Sequence, residues 1–333
     1  MTPLVVIAAF LGAFAVGLLG TLVARHVVLA RREDKAADAE RRMRPIAIEL
    51  IEGTSMPPEL SAYDSLALAA AVGRYSRKVR GTTTDRIGTY FRDGGGLAIA
   101  CEGLKSRRAW RRASAAYSLG DMSCAEAVPL LLEALDDRSG EVRAAAVGSL
   151  GRLRDPSATE PLVECLVTRR VPRGLGGTAL LELGPVAIPE LSRIARHDDP
   201  HVRTIAITVL GLVGDFGDAA VALEAMQDSS AEVRAAAARA LGRVGAEDAE
   251  SALLAALKDR VPDVRAEAAT SLGTIHAKPA VADLMTIART DRFRPARAAA
   301  QAVGEIDPRT LIRAASGPDA GMHLQEAADL AAL

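Results

Sequence analysis

Apolar residues recur at helical spacing through most of the chain after residue 105. In the stretch 233–241 they fall at i, i+3, i+4 and i+8, on one face of a helix, at Val233, Ala236, Ala237 and Leu241. We expect Gly242 to end this helix by adopting the left-handed C-cap conformation. A second apolar stripe follows at Leu253, Leu254 and Leu257. The pattern therefore predicts a pair of helices.

This pair recurs along the sequence. A glycine is expected at the end of the first helix of each unit, at Gly120, Gly151, Gly184, Gly211, Gly242, Gly273 and Gly304. The intervals are 31, 33, 27, 31, 31 and 31 residues, and the local text repeats as EVRAAAVGSLG, EVRAAAARALG and DVRAEAATSLG. One pair cannot bury its apolar stripe alone, but stacked neighbours can. The spacing thus predicts an elongated array of about seven units.

The shared pattern D-x-x-x-x-VR-x-x-A-x-x-x-LG resembles the HEAT repeat, in the short HEAT-like type first described in phycobilisome lyases. The resemblance covers about 105–315 and implies an all-α fold, an α-solenoid of HEAT-like helical pairs. It identifies a repeat class and no activity. Two units depart from the pattern where the Val-Arg pair is expected, at Gly174, Gly176 and Gly177 and at Pro295 and Ala296. We expect the array to bend or loosen there.

Four arginines occupy the same place in their units: Arg143, Arg203, Arg234 and Arg265. HEAT-type arrays commonly use this position for stacking, and the resemblance implies that each arginine pairs with an acidic residue of an adjacent unit. The alternative is that the arginines line a functional groove. Asp137, Asp228 and Asp259 precede the next helical pairs and can cap them.

The first residues carry a different pattern. Residues 4–24 form an uncharged run long enough to cross a bilayer, and arginines follow it. The sequence therefore predicts one transmembrane helix before the solenoid, in the cytoplasmic membrane, with the N-terminus outside and the repeat domain in the cytoplasm. A cleaved signal peptide is the alternative. Small residues on one line of this helix are candidates for packing against a partner helix: Ala9, Ala13, Gly17 and Thr21.

These patterns divide the chain into four parts. We expect a transmembrane anchor over 1–24, a cytoplasmic stalk helix over 25–53, a helical N-terminal cap over 54–104 and the repeat array over 105–333. Pro45, Gly53 and the Pro57-Pro58 pair mark the end of the stalk.

Charge is distributed unevenly, which draws attention to the segment before the array. Residues 66–112 carry eleven basic and three acidic residues, a net charge of +8, whereas the whole chain has a net charge of −1. The candidate partner-binding residues are Arg74, Arg77, Lys78, Arg80, Arg107, Arg108, Trp110 and Arg111. Three readings are open: contact with anionic lipid headgroups, docking on an acidic face of a partner protein, or an ordinary solvated cap that pairs with the acidic array.

The sequence contains no pattern that favours catalysis, a cofactor, a metal ion or a small-molecule substrate. His197 and His201 lie in an inter-repeat turn with Pro200, where three or four metal ligands are not expected to converge. The Gly94-Gly95-Gly96 run lacks the Lys-Ser/Thr of a phosphate-binding loop and reads as a turn. The three cysteines are scattered singly and are expected to be small buried residues.

These observations favour a membrane-anchored, non-catalytic scaffold for protein–protein interaction. The layout resembles bacterial proteins that accompany membrane glycosyltransferases of family 2, so a membrane protein of that kind is the implied partner. A bilin-lyase-like modifying enzyme is an alternative implied by the repeat subtype. Nucleic-acid binding is a second alternative, although the array proper is acidic, with 31 acidic and 23 basic residues over 113–333.

Overall fold

The computed structural model describes most of the chain after residue 33. The described residues are 34–35, 37–55, 60–76, 81–214, 219–245, 248–317 and 320–331. They form helices joined by short turns, and the chain divides into two compact units between Leu130 and Leu131. We treat these as unit 1 and unit 2.

The described part of unit 1 contains five α-helices before the unit boundary. They are α1 (37–52), α2 (Ala62–Ser76), α3 (Thr82–Asp93), α4 (Gly96–Leu104) and α5 (Ala109–Asp121). Its core contains the fully buried Phe91, whose ring meets that of Tyr90 edge-on at 5.2 Å between centroids. Burial raises the pKa of the Tyr90 hydroxyl.

The helix α1 falls in the region expected to be a stalk, and it is packed into unit 1. Ala39, Ala47 and Leu50 are fully buried along one of its faces. The guanidinium of Arg86 donates from Nη1 to the carbonyl oxygens of Leu50 and Ile51, at 3.4 and 3.1 Å. These carbonyls belong to the last turn of α1, where no intrahelical donor is present to satisfy them. Arg86 therefore holds the C-terminus of α1.

Unit 2 is built from long helices that stack side by side, each followed by a shorter helix. The long helices are α7 (Gly140–Leu153), α9 (Arg173–Leu183), α11 (Pro200–Val213), α13 (Ala231–Val244), α15 (Pro262–Thr274) and α17 (Phe293–Ile306). The short helices that follow them are α8 (Thr159–Val167), α10 (Ile188–Ile194), α12 (Ala219–Ala225), α14 (Ala249–Ala256) and α16 (Val281–Thr290). The short helix α6 (Val128–Ala134), before α7, includes the boundary between Leu130 and Leu131. Two further helices, α18 (Pro308–Ala315) and α19 (Met322–Ala331), complete the unit. The predicted solenoid of helical pairs is confirmed.

Alanine makes the close stacking of the long helices possible. In α13 the alanines at 235, 236, 237, 238 and 240 are all buried, together with Val233 and Leu241. Small side chains let neighbouring backbones approach, and alanine has the strongest intrinsic preference for a helix. A chain with 3% aromatic residues therefore fills this core without large rings.

Six of the seven repeated glycines lie inside helices, so the predicted C-cap role of Gly242 is wrong. Gly184 is the exception, because it ends α9 as expected, with a φ of 75°. The helix α13 continues to Val244, and the left-handed residue that ends it is Gly245, with φ of 65°. A Cβ atom at Gly242 would lie 2.5 Å from the Cβ of Ser271 on α15. At Gly211 the corresponding distance to the Cβ of Ala240 is also 2.5 Å. These glycines mark the crossings of adjacent helices.

No helix in the described ranges is both long and apolar enough to cross a membrane. The long helices of unit 2 reach 14 residues, whereas a bilayer crossing takes about 20. The predicted solenoid preceded by one transmembrane helix is therefore corrected to an all-helical, solenoid-like fold, and the single-pass localisation is corrected with it. The segment 4–24 and its stripe, Ala9, Ala13, Gly17 and Thr21, lie outside the described residues.

Candidate interaction surfaces

Three of the four repeat arginines hold an aspartate of the following unit by two hydrogen bonds. The pairs are Arg203 with Asp228, Arg234 with Asp259, and Arg265 with Asp291. In the second pair, Nε and Nη2 of Arg234 donate to the two carboxylate oxygens of Asp259 at 2.7 and 3.0 Å. The third nitrogen, Nη1, donates to the carbonyl oxygens of Asp228 and Ser229 at 2.8 and 3.2 Å. Each arginine thus connects the turn of its own unit to the turn of the next.

The aspartates also hold their own turns. Asp259 accepts a hydrogen bond from the backbone N–H of Val261 at 2.8 Å, and Asp228 accepts one from Ser230 at 2.7 Å. Burial raises the pKa of Asp228 and of Asp259, but the hydrogen bonds from arginine and backbone outweigh it, so both lie below the usual value. These carboxylates are therefore charged at neutral pH. We call an arginine, its aspartate and the two turns they join a clamp.

The clamp changes at the third repeat of the array, whose long helix is α9. Counted from the start of α9, the aspartate position holds Arg170 and the arginine position holds Gly176. Arg143 of the preceding unit donates from Nε to the carbonyl oxygen of Arg170 at 3.0 Å, so it contacts a neutral acceptor at the place of the carboxylate. In the fourth repeat, whose long helix is α11, His197 takes the aspartate position.

A different set of ion pairs joins the third and fourth repeats. Asp199, the N-cap of α11, accepts hydrogen bonds from Arg169 at 2.9 Å and from Arg173 at 2.5 Å. Its pKa is lowered to about 2, first by the hydrogen bond from Arg169 and then by the one from the backbone of His201. The third repeat therefore lacks both the aspartate and the arginine of the clamp and has these ion pairs instead.

The long helices leave one side uncovered by the short helices, and we call it the open face. In α7, α9 and α11 its central positions are small and uncharged: Ala144, Gly148, Thr178 and Thr208. The Thr178 hydroxyl donates to the carbonyl oxygen of Gly174 at 2.9 Å and that of Thr208 to Thr204 at 2.7 Å, so these threonines satisfy their hydroxyls within their own helices.

The open face becomes charged toward the C-terminus. In α13, α15 and α17 it carries Arg239, Asp263, Glu267, Arg294 and Arg297. Arg239 and Arg294 both contact the Glu267 carboxylate, at 3.2 and 2.9 Å. A continuous surface with a small, uncharged half and an ion-paired half is well suited to contact with another macromolecule. A cavity of about 280 Å³ opens on the ion-paired half, where Glu267, Arg294 and Arg297 line it.

Most described arginines and lysines of the basic segment 66–112 already have partners within unit 1. Arg74 pairs with Glu40, Arg92 with Glu126 at 2.6 Å, and Lys105 with Glu102 at 2.6 Å. Arg86 and Arg112 donate to backbone carbonyl oxygens of Ile51 and Ser106. Three of the predicted partner-binding residues, Arg77, Lys78 and Arg80, lie outside the described residues.

The other predicted residues meet at the start of α5. Arg107, Arg108, Trp110 and Arg111 are all exposed, and the Arg111 guanidinium lies 5.3 Å from the centroid of the Trp110 ring. Two further exposed side chains, Ser114 and Tyr117, continue this side of the helix. Trp110 and Tyr117 are 46% and 49% exposed. We call these six residues the α5 patch.

Sequence reasoning found Trp110 but missed Tyr117. The available signal was register: counted from the residue before each long helix, Trp110 and Tyr117 occupy the second and ninth positions. The same positions in α11, the long helix of the fourth repeat, are His201 and Thr208 on the open face. An aromatic residue at both positions is a departure that the repeat pattern itself could have exposed.

The remaining candidates have structural contacts. His197 accepts at Nδ1 from the backbone N–H of Asp199 at 3.0 Å, and His201 lies 3.4 Å from Glu232. Within the described ranges, no group of three His, Cys, Asp or Glu residues is placed to hold a metal ion. Cys124 is buried, and burial raises the pKa of its thiol to about 11. Gly95, between α3 and α4, has a φ of 75°, as expected for the predicted turn.

Comparison with protein-family models shows where the chain has relatives. A model described as HEAT repeats matches residues 97–180 and 219–304, which together are just over half of the chain. No curated protein matches the sequence. The two matched segments include α5, the long helices α7 and α13–α15, and most of α9 and α17.

Solved structures resemble this chain to different degrees, all at low sequence identity. A Kap121p mutant is 12% identical with a TM-score of 0.55, covering 87% of this chain and 38% of that one. The complex of CpcE and CpcF of phycocyanin lyase from Nostoc sp. PCC7120 is 23% identical with a TM-score of 0.40, covering 44% and 96%. Human deoxyhypusine hydroxylase is 21% identical with a TM-score of 0.33, covering 81% and 98%. The likeness to the Kap121p mutant concerns the fold alone.

Proposed function

Because this chain belongs to the family of HEAT-repeat proteins, we propose that it is a non-catalytic scaffold that binds another protein through the open face of its array. The observation that carries the proposal is the continuity of that face over α7 to α17. Repeat arrays of this kind use extended surfaces, rather than enclosed pockets, for recognition.

The clamps support this reading because they fix the spacing of the helices that form the face. Each one connects two successive turns through a charged, bidentate contact, which is directional as well as strong. An extended surface loses less conformational entropy on binding when its elements are already held in place. The small, uncharged half also allows a partner's backbone to approach closely, since Ala144 and Gly148 project little from α7.

Site-specific photocrosslinking in the native cell tests this proposal. A benzophenone amino acid would replace Thr208 or Thr270 on the open face and, as a matched control, Ser251 on the short helix α14, all of which are accessible to solvent. We expect one discrete adduct from the open-face positions and none from the control. Equal labelling from all three positions, or none from the open face, would contradict a scaffold that binds through this surface.

The identity of the partner is a finer proposal that rests on the resemblance of the sequence layout. A membrane enzyme such as a polysaccharide-forming family 2 glycosyltransferase is the first candidate to test. We expect it to co-purify with the full chain in mild detergent and to appear in the adduct formed at Thr208. An adduct with an unrelated protein would reject this partner and leave the scaffold proposal standing.

A further inference from the structure

The α5 patch differs from the open face in both composition and charge. At the positions of Trp110, Ser114 and Tyr117, the helix α11 carries His201, Ile205 and Thr208. The buried side of α5 is made of other residues, such as Ala113, Ala116 and Leu119, whereas both rings are about half exposed. Tryptophan, tyrosine and arginine are the residue types that dominate binding energy at protein interfaces. The patch therefore has the composition of a binding site.

Its positive charge is not neutralised within the described part of unit 1. Arg74, Arg92 and Lys105 each have a carboxylate partner, but no described carboxylate or carbonyl oxygen accepts a hydrogen bond from the side chains of Arg107 or Arg108. These two side chains stand at the N-terminal end of α5, where the helix dipole adds positive potential. The patch is therefore complementary to carboxylates.

The geometry along the helix separates two kinds of contact. Trp110 and Tyr117 are seven residues apart, which is about 10 Å along a helix axis. Ser114 lies between them and is the smallest exposed side chain of the patch, so the two rings border a notch. The arginines lie at one end of this notch only. An occupant that fits carries acidic residues at one end and an apolar side chain next to them.

We infer that the α5 patch docks an acidic segment of a partner protein, with carboxylates on Arg107, Arg108 and Arg111 and an apolar side chain between Trp110 and Tyr117. A lipid surface fits less well, because recognition of anionic membranes takes clusters of about four to eight basic residues. Most described cations of the segment 66–112 are already engaged. This inference deepens the proposed scaffold function and rests on it.

Trp110 is the sole tryptophan of the chain, so its fluorescence reports on this patch alone. The full protein would be titrated with a synthetic peptide in which a cluster of glutamates precedes two leucines, and with the same peptide carrying glutamines. We expect a saturable blue shift with the acidic peptide, weakened several-fold by salt, and no saturation with the glutamine peptide. A response to phosphatidylglycerol vesicles without a response to the acidic peptide would overturn the inference in favour of lipid.

Charge reversal supplies the matched variants. R107E/R108E/R111E should weaken peptide binding about tenfold or more, because each pair across the interface becomes repulsive. R138E/R260E/R309E, which changes the net charge equally at exposed sites of unit 2, should bind as the parent does. Both triple variants should keep the parent's circular dichroism. Equal weakening by both sets would show that only net charge matters and would also overturn the inference.

Crosslinking through Ser114 separates this inference from the scaffold proposal. A benzophenone amino acid at Ser114 should label a partner segment with an excess of acidic residues, and R107E/R108E/R111E should abolish that adduct. If Thr208 forms its adduct while Ser114 forms none, the α5 patch is not the docking site although the scaffold function holds. If neither position reacts and the peptide fails to bind, both proposals fall.

Discussion

At the scale of single residues, the crossing of α13 and α15 leaves no room for a side chain at Gly242. Ser271 lies against Gly242, and its hydroxyl donates to the carbonyl oxygen of Ala238 at 2.9 Å. A Cβ at Gly242 would meet the Ser271 Cβ at 2.5 Å, and no long side chain is present to move away. We expect Gly242→Ala to lower the free energy of unfolding by about 1–3 kcal/mol, measured by urea denaturation.

Gly148 provides the control for that substitution. It lies in α7 at a solvent-accessible position, where the nearest atom to an added Cβ is Nη1 of Arg152 at 3.6 Å. Alanine there gains helix propensity without a clash, so Gly148→Ala should raise the free energy of unfolding by about 0.5–1 kcal/mol. If both substitutions stabilised the protein, the crossing would not be as close as described.

Removing one half of a clamp should be costly. The side chains of Arg234 and Asp259 are only 10% and 13% exposed, so Arg234→Met leaves a largely buried carboxylate without its cation. We expect a loss of about 3 kcal/mol in the free energy of unfolding. Arg196→Met is the comparison, because its pair with Glu224 is more than half exposed on both sides and should contribute less than about 1 kcal/mol. Similar losses for both variants would argue against the stacking role.

The clamps also set a pH range for stability. The folded-state pKa of Asp259 and of Asp291 is lowered, so each carboxylate contributes stability that is fully present above its unfolded pKa of about 4. That contribution is lost as the pH falls below about 4 toward the folded value. Melting temperature should therefore change little from pH 7 to 5 and fall steeply below 4. Asp259→Asn should show a shallower acid dependence, and an unchanged profile would contradict this assignment.

At the scale of helices, α9 departs most from its neighbours. It has 11 residues against 14 in α11 and α13, it contains three glycines, and it lacks the clamp. Fewer fixed contacts lower the free energy of local opening. Amide hydrogens of α9 should exchange with deuterium faster than those of α13, measured by mass spectrometry of peptic peptides. Equal protection of the two helices would show that the Arg169–Asp199 and Arg173–Asp199 contacts replace the clamp fully.

The sequence predicted these helices well because each has a local cause. Apolar spacing in 233–241 and the recurring Val-Arg pairs are properties of single segments, and they sufficed for helical pairs and for an acidic partner of three of the four arginines. Arg143 contacts the carbonyl oxygen of Arg170 instead. The role of Gly242 was mispredicted because the atom it avoids belongs to Ser271, 29 residues away. A glycine near a helix end has the same local pattern whether it caps the helix or admits a neighbour.

At the scale of the molecule, the chain offers two surfaces of unlike character, one in each compact unit. The basic character of 66–112 was visible in the sequence, but the structure shows which cations remain available, since Arg74, Arg86 and Lys105 are engaged. That distinction depends on the partners contributed by Glu40 and by the end of α1, which no count of charges contains. The predicted membrane crossing rested on a local apolar run alone, and no helix of the described residues is long and apolar enough to cross a membrane.

The clamp has a consequence for how such an array changes in length. A repeat that contributes an aspartate to the clamp with the repeat before it and an arginine to the clamp with the repeat after it can be copied or removed, because the neighbouring repeats then still form their clamps. Asp228 and Asp259 are 31 residues apart, so excision of 228–258 would bring Asp259 to the place that Asp228 holds beside Arg203. The third repeat lacks both groups, and its removal would place His197 beside Arg143. Copying or removing the repeat of α13 or of α15 would therefore preserve these contacts, and removing the third repeat would not.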